Sequence, residues 1–405
     1  MRSEDSFIED TLFSPFSGRG KTHIHIDNPD EQHTLLDWTY LLDRLKREGI
    51  ATVFYQQLQK QNKGHILPSE VNNSLKQLSI SILSQNLAAI GEAKKVFGRF
   101  QDKRIPLVVL KGLYMLEHIY PHLAMRGISD IDILIHKEDI FTVDDCLNEL
   151  GYEPLDGTPE IAVNNPPGYL SSLDYFHCSG RTLRFHIHWH LVNTSVPAYM
   201  FAPLIDLDYI WHKTIQAKIA DVDVQILCPE HNLLYLCEHA LRVGHSFDRM
   251  ILVYDIVLFL KAHCHLDWTA VWKEGERLHM ERFLFLSMSI VERIAGIGMP
   301  DYIRESFYDK HRLRWGEEVF LAIHKEKRRF RGSSYLIYLS MNRTPAAFFL
   351  FLFRTVFPPE AIIRQRSYTR KSQNKIGKIA LYRRRISEIL LHLCQPRDFL
   401  HNNKS

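Results

Sequence analysis

Residues Val108 to Leu134, VVLKGLYMLEHIYPHLAMRGISDIDIL, decide how this chain is read. The apolar run from Pro106 to Leu110 predicts a short strand that stops at Lys111-Gly112. A helix-like segment follows, and after Arg126-Gly127 a second strand carries Asp130 and Asp132. Side chains two apart on a strand point to one face, so these carboxylates offer two oxygens to a hard divalent cation. Mg²⁺ takes a few carboxylates together with phosphate oxygens, which predicts one or two Mg²⁺ held against a nucleoside triphosphate. Lys111 and Gly112, at the strand-to-helix turn, set a positive charge and backbone N–H groups against its phosphates.

This order of elements resembles the nucleotidyltransferase superfamily, whose fold opens with a strand, a Gly-containing helix and a strand bearing D-x-D. The nearest resemblance is to a bacterial family of uncharacterised nucleotidyltransferases with a pattern near L-K-G…Y…R-x-x-S-D-I-D-L-L. Leu110, Lys111, Gly112, Tyr120, Arg126, Ser129, Asp130, Ile131, Asp132, Ile133 and Leu134 match it here. The resemblance implies an α+β fold with a polymerase-beta-type core sheet and extensive helical additions at both ends. It also implies Mg²⁺- or Mn²⁺-dependent transfer of a nucleotidyl group from an NTP to an acceptor oxygen. In that scheme Asp130 and Asp132 bind metal and Lys111 and Gly112 contact phosphates. Ser129 shapes the turn, and Arg126 meets phosphate, locks the loop or pairs with one of the two aspartates.

The family pattern further implies an acid two positions before a His-Trp pair. His188-Trp189 match the pair, and His186 stands where the acid belongs. Three readings are open: His186 serves as an unusual metal ligand or base, Asp174 on the partner strand supplies the acid, or catalysis is weakened or lost. His186, His188 and His190 alternate onto one strand face, as ligands of a zinc hydrolase do; the same triplet also occurs as packed, hydrogen-bonded histidines. The resemblance runs from about Leu107 to about Leu260 and takes in the Pro229-Glu230 helix start, His239 and Asp255. For Asp255 the expectation is a buried carboxylate paired with Arg249 or His245.

A chain of 405 residues with 45% hydrophobic and 24% charged residues reads as globular. The expected division is a partly ordered segment 1–30, a helical region 31–102, the α/β core 103–228, a helical region 229–330 and a basic helical tail 331–405. The net charge of +3 decides nothing about partners. Six cysteines without C-x-x-C spacing argue against a zinc ribbon or disulfide framework and for a reduced, cytoplasmic compartment. The start MRSEDSFIEDTLF is acidic where a signal peptide is basic, and no run is long enough for a membrane span.

Within this frame, helices are predicted from His33, over Ala51–Gln61 and from Pro68 to about Phe100. His23, His25 and Asp27 have metal-like spacing and read as a solvated near-terminal segment. Strands are predicted over 169–178 and 182–191, joined at Ser179-Gly180, with 164–168 a stiff loop bordering a cleft. Lys325–Arg331 and Arg364–Arg385 are basic with Phe330, Tyr368 and Tyr382 interleaved; a solvated helix face is the first reading, RNA or an anionic membrane surface the second. The expected acceptor is a small molecule, sugar or peptide in a bacterial biosynthetic pathway. The alternatives are a toxin-like enzyme acting on tRNA and a non-catalytic nucleotide-binding protein.

Overall fold

The computed structural model describes residues 3–16, 36–155, 158–160, 171–180, 183–192, 202–243, 245–325, 332–342, 344–358, 360 and 377–394. The His23/His25/Asp27 segment, the 164–168 loop and most of both basic runs lie outside these residues.

Seven strands form one mixed sheet in the order β3-β4-β5-β2-β1-β7-β6. They are β1 (Val108–Val109), β2 (Asp130–Leu134), β3 (Tyr152–Pro154), β4 (Ser172–His177), β5 (Arg184–His188), β6 (Ile215–Ile219) and β7 (Val222–Ile226). β1 runs antiparallel to β2 and parallel to β7, and β2 runs parallel to β5. The strand predicted up to Leu110 is only two residues long. The chain turns into helix at Lys111, yet Leu110 still donates to the Asp132 carbonyl at 3.0 Å. β3 escapes the pattern reading because it is only three residues long; β6 does alternate Ile215, Ala217 and Ile219 with polar residues, but it is a largely exposed edge strand.

Around the sheet lie α1 (Ser3–Phe13), α2 (Trp38–Arg47), α3 (Ala51–Lys60), α4 (Ser69–Asp102), α5 (Lys111–Tyr114), α6 (Ile140–Glu149) and α7 (Leu207–His212). They are followed by α8 (Pro229–Leu241), α9 (Met250–Ala262), α10 (Trp268–Arg277), α11 (Glu281–Ala295), α12 (Asp301–Lys310) and α13 (Trp315–Lys325). The last three are α14 (Tyr335–Ser340), α15 (Pro345–Val356) and α16 (Lys378–Cys394). α2 begins at Trp38, because the Asp37 side chain accepts from the Tyr40 N–H and caps it. Gly49, at φ +70, takes the left-handed conformation that ends this helical segment.

Period two explains why the sheet has one core face and one chemical face. Ile131, Ile133, Phe185, Ile187, Leu173 and Tyr175 are all at most 2% exposed. The intervening residues Asp130, Asp132, Arg184, His186, His188, Ser172 and Asp174 share the opposite face.

The loop entering β2 is held by three helices. Asn86 of α4 is fully buried; its amide donates to the carbonyls of Leu123 and Arg126, and its carbonyl accepts from Ile128 N–H. Thr52 of α3 donates to the Met125 carbonyl at 2.7 Å. Arg126 forks onto Asp255 of α9, with Nε to Oδ1 at 3.0 Å and Nη2 to Oδ2 at 3.0 Å, and Tyr120 donates to Asp255 Oδ1 at 2.6 Å. Tyr120 follows a π turn, Met115–Ile119, in the segment predicted as plain helix, and its N–H reaches back to the Met115 carbonyl. Asp255 is buried, and its partners are Arg126 and Tyr120 rather than Arg249 or His245.

Candidate active site

The register of β2 on β5 sets Asp130 opposite Arg184, Asp132 opposite His186 and Leu134 opposite His188. Asp132 is 1% exposed. Its Oδ1 accepts from His188 Nε2 at 2.9 Å and from His186 Nδ1 at 3.2 Å, and its Oδ2 lies 3.3 Å from Lys111 Nζ. Burial opposes ionisation of this carboxyl, but Lys111 and then the two imidazoles outweigh it and hold Asp132 well below the usual carboxylate range.

Each neighbour of Asp132 has its own support. Ser172 Oγ meets His186 Nε2 at 2.7 Å and fixes the ring. His188 is buried, and burial followed by the nearby His186 pushes it down to about 3, so it is neutral near pH 7. With Nε2–H donating to Asp132, its Nδ1 is a buried lone pair with no hydrogen-bond partner among the described residues. Lys111 Nζ donates to His239 Nε2 at 2.6 Å, since an ammonium has only donors. His239, near the end of α8, has its ring 4.3 Å from that of His245. Arg242, beside them, pairs with Glu238 and donates to the Leu191 carbonyl at 3.0 Å, tying α8 to the chain that leaves β5.

The remaining sequence-predicted residues divide. Asp130 lies on the same face as Asp132 and is half-buried; Arg184 Nη2 donates to its Oδ2 at 3.1 Å and Ser129 to its Oδ1 at 3.1 Å. Asp174, directly opposite His186 on β4, has its carboxylate 3.8 Å from Arg184. Gly112 sits over the start of β2, where an added Cβ would come no nearer than 3.6 Å, to the Asp130 carbonyl. Arg126 is spent on Asp255, not on either aspartate of D-x-D. His190 lies beyond the end of β5, bonded to the Ala202 carbonyl and the Val192 N–H, so the three histidines do not converge.

Among the described residues, Asp132, His186 and His188 are the group whose ligand atoms all lie within 4.8 Å of one another. Arg184 and Ser172 are not among the residues the sequence singles out, and His239 enters there only as part of the family pattern, without a role. Arg184 was visible in principle, two residues before His186 on the same strand face; nothing local links His239 to Lys111, 128 residues away.

A family model described as "Uncharacterised nucleotidyltransferase" matches residues 34–296. The chain belongs to this nucleotidyltransferase family. The match is wider than the Leu107–Leu260 stretch seen in the motifs: it takes in the helices that brace the β2 loop and ends just after α11. No curated protein matches the chain. Membership of the nucleotidyltransferase family supports nucleotidyl transfer as the general activity, and with it an NTP substrate and a divalent metal. No helix among the described residues is long and apolar enough to cross a membrane.

The buried histidines set a pH limit on stability. Burial, followed by Lys111, lowers both His245, to about 3, and His239, well below its usual range. The unfolded chain therefore takes up protons below about pH 6.5 that the folded chain refuses, so stability falls as pH drops from there toward 3. The expected slope is roughly 1.4 kcal/mol per pH unit for each histidine. Urea midpoints at pH 7.5 and 5.5 check this, and equal midpoints would contradict it.

Proposed function

We propose that this nucleotidyltransferase moves a nucleotidyl group from an NTP to an acceptor oxygen, with β1, β2 and β5 as a polymerase-beta-type catalytic core. The observation that carries this reading is the buried Asp132 carboxylate, met at once by Lys111, His186 and His188. A buried carboxylate on a D-x-D strand, beside a lysine at a Gly turn, is the arrangement that metal-dependent phosphate chemistry needs.

The residues present fit a divalent cation. Asp132, His186 and His188 bring one ligand atom each within 4.8 Å of one another, and Asp132 Oδ2, beside the Lys111 ammonium, has no hydrogen-bond partner among the described residues. Two imidazoles make this set softer than an all-carboxylate one, which suits a transition metal such as Mn²⁺ better than Mg²⁺. When bound, such a cation neutralises charge on the triphosphate and lowers the pKa of an acceptor hydroxyl.

The chain's own groups do the rest. Lys111, aimed by His239, places a positive charge beside Asp132 for the phosphate oxygens. Gly112 leaves room above β2 for a phosphate to approach the backbone N–H groups. Asp130, held by Arg184 and Ser129, adds a second carboxylate on the same face. Arg126 acts through Asp255 as a lock on the loop. The acceptor we assign is a small molecule, sugar or peptide of a bacterial biosynthetic pathway. One observation favours a second reading, nucleotide binding without turnover: His186 occupies the place of the third acid.

Pyrophosphate release tests this. The protein is incubated with each NTP and Mg²⁺ or Mn²⁺, adding small-molecule extract or total RNA separately. Release with one NTP and the small-molecule extract is expected, falling on the order of 100-fold in Lys111→Ala. Release with RNA alone would move the acceptor to tRNA-like substrates. No release with nucleotide binding intact would favour the non-catalytic reading.

A further inference from the structure

The apolar helix α15 packs against the rest of the protein on one side only. Phe351 is buried, while Phe349 and Phe353 are 67% and 59% exposed, with Leu350 and Phe357 at 43% and 39%. Phe349, Phe353 and Phe357 recur every four residues and so form one stripe. α16 continues this surface: Tyr382 donates to the Pro358 carbonyl at 2.9 Å, the Phe357 and Tyr382 rings lie 5.6 Å apart, and Arg385 donates to the Thr355 carbonyl. Ile379, one turn before Tyr382, is 77% exposed. Of the fourteen large apolar residues exposed among the described residues, five therefore fall between 349 and 379.

Charge decides what meets this patch. Between Pro345 and Ser387 the sequence carries ten lysines and arginines against one acid, Glu360. Lys378 and Arg383 stand exposed beside Ile379. A protein partner would need an apolar groove ringed with acids. A single RNA strand would pair its phosphates with the cations and stack bases on the phenyl rings, but it would leave the aliphatic Leu350 and Ile379 unused. An anionic lipid surface uses both features, taking the apolar ridge into the acyl boundary and pairing the cations with headgroups. No described helix spans a membrane, so the contact is with the surface.

We propose that the α15–α16 face is a docking surface for an anionic membrane leaflet, which would place nucleotidyl transfer beside the lipid. This assignment stands independently of which acceptor the site uses.

Sedimentation of the full chain with vesicles tests it. Binding to phosphatidylglycerol-containing vesicles, weakened by salt and absent with pure phosphatidylcholine, is expected. Phe349→Ser with Phe353→Ser should abolish it. Lys378→Gln with Arg383→Gln should weaken it on the order of 30-fold. These residues are exposed, so circular dichroism should be unchanged and the losses attributable to the surface. No sedimentation with anionic vesicles, or equal sedimentation by the serine variant, would overturn the proposal. So would RNA binding or self-association that the serine substitutions remove while vesicle affinity is absent.

Discussion

Asp132→Asn is expected to lower nucleotidyl transfer by more than about 100-fold, beyond the roughly 10–100-fold lost when only an outer partner of a metal ligand is removed. The asparagine keeps the shape and can still accept from one imidazole, but it loses the charge that Lys111, His186 and His188 surround. Asp132→Ala should lose activity equally and also destabilise the fold by about 3–5 kcal/mol, because Lys111, only 12% exposed, would keep its charge without its counter-ion. Pyrophosphate release and urea unfolding on the same preparations separate the two effects. Full activity in Asp132→Asn would remove this carboxylate from the mechanism. His186→Glu extends the argument: if this position stands in for the usual third acid, glutamate should preserve or raise turnover.

Arg126→Ala should unfold the protein more readily, by about 3–5 kcal/mol, and reduce activity through stability and loop order rather than through nucleotide affinity. Its guanidinium and the Asp255 carboxylate are 15% and 5% exposed, so deleting one leaves the other buried and unpaired. The double variant Arg126→Met, Asp255→Leu should recover most of the loss, since apolar residues of similar size often replace a buried pair without penalty. Denaturant midpoints of the three variants decide this. A normal midpoint with weakened NTP binding in Arg126→Ala would instead make Arg126 a phosphate ligand.

The sequence made the centre of the sheet readable because strand periodicity and motif coincide there. Asp130 and Asp132 alternate with Ile131 and Ile133, and the RFHIHWH segment alternates in the same way, so one face of each strand was legible before their pairing was known. Register was not legible. Only the parallel alignment of β2 with β5 shows that His186 stands beside Asp132, and that His188 reaches the same carboxylate from one pair further along. Contacts between distant segments were equally hidden. Lys111 meets His239, and Arg126 meets Asp255, across more than a hundred residues. Nearness in sequence points to Arg249 and His245 as partners of Asp255. The chain instead brings α9 against the β2 loop, where Arg126 and Tyr120 reach it first.

The central claim is that Asp132, His186 and His188 together hold a divalent cation at the catalytic strand. Mn²⁺ binding to the purified protein, followed by electron paramagnetic resonance without nucleotide, tests it most directly. The account predicts saturable binding that Asp132→Asn abolishes, and that His186→Ala and His188→Ala each weaken by at least about tenfold. Binding left unchanged by all three substitutions, in variants that circular dichroism shows to be folded, would contradict it.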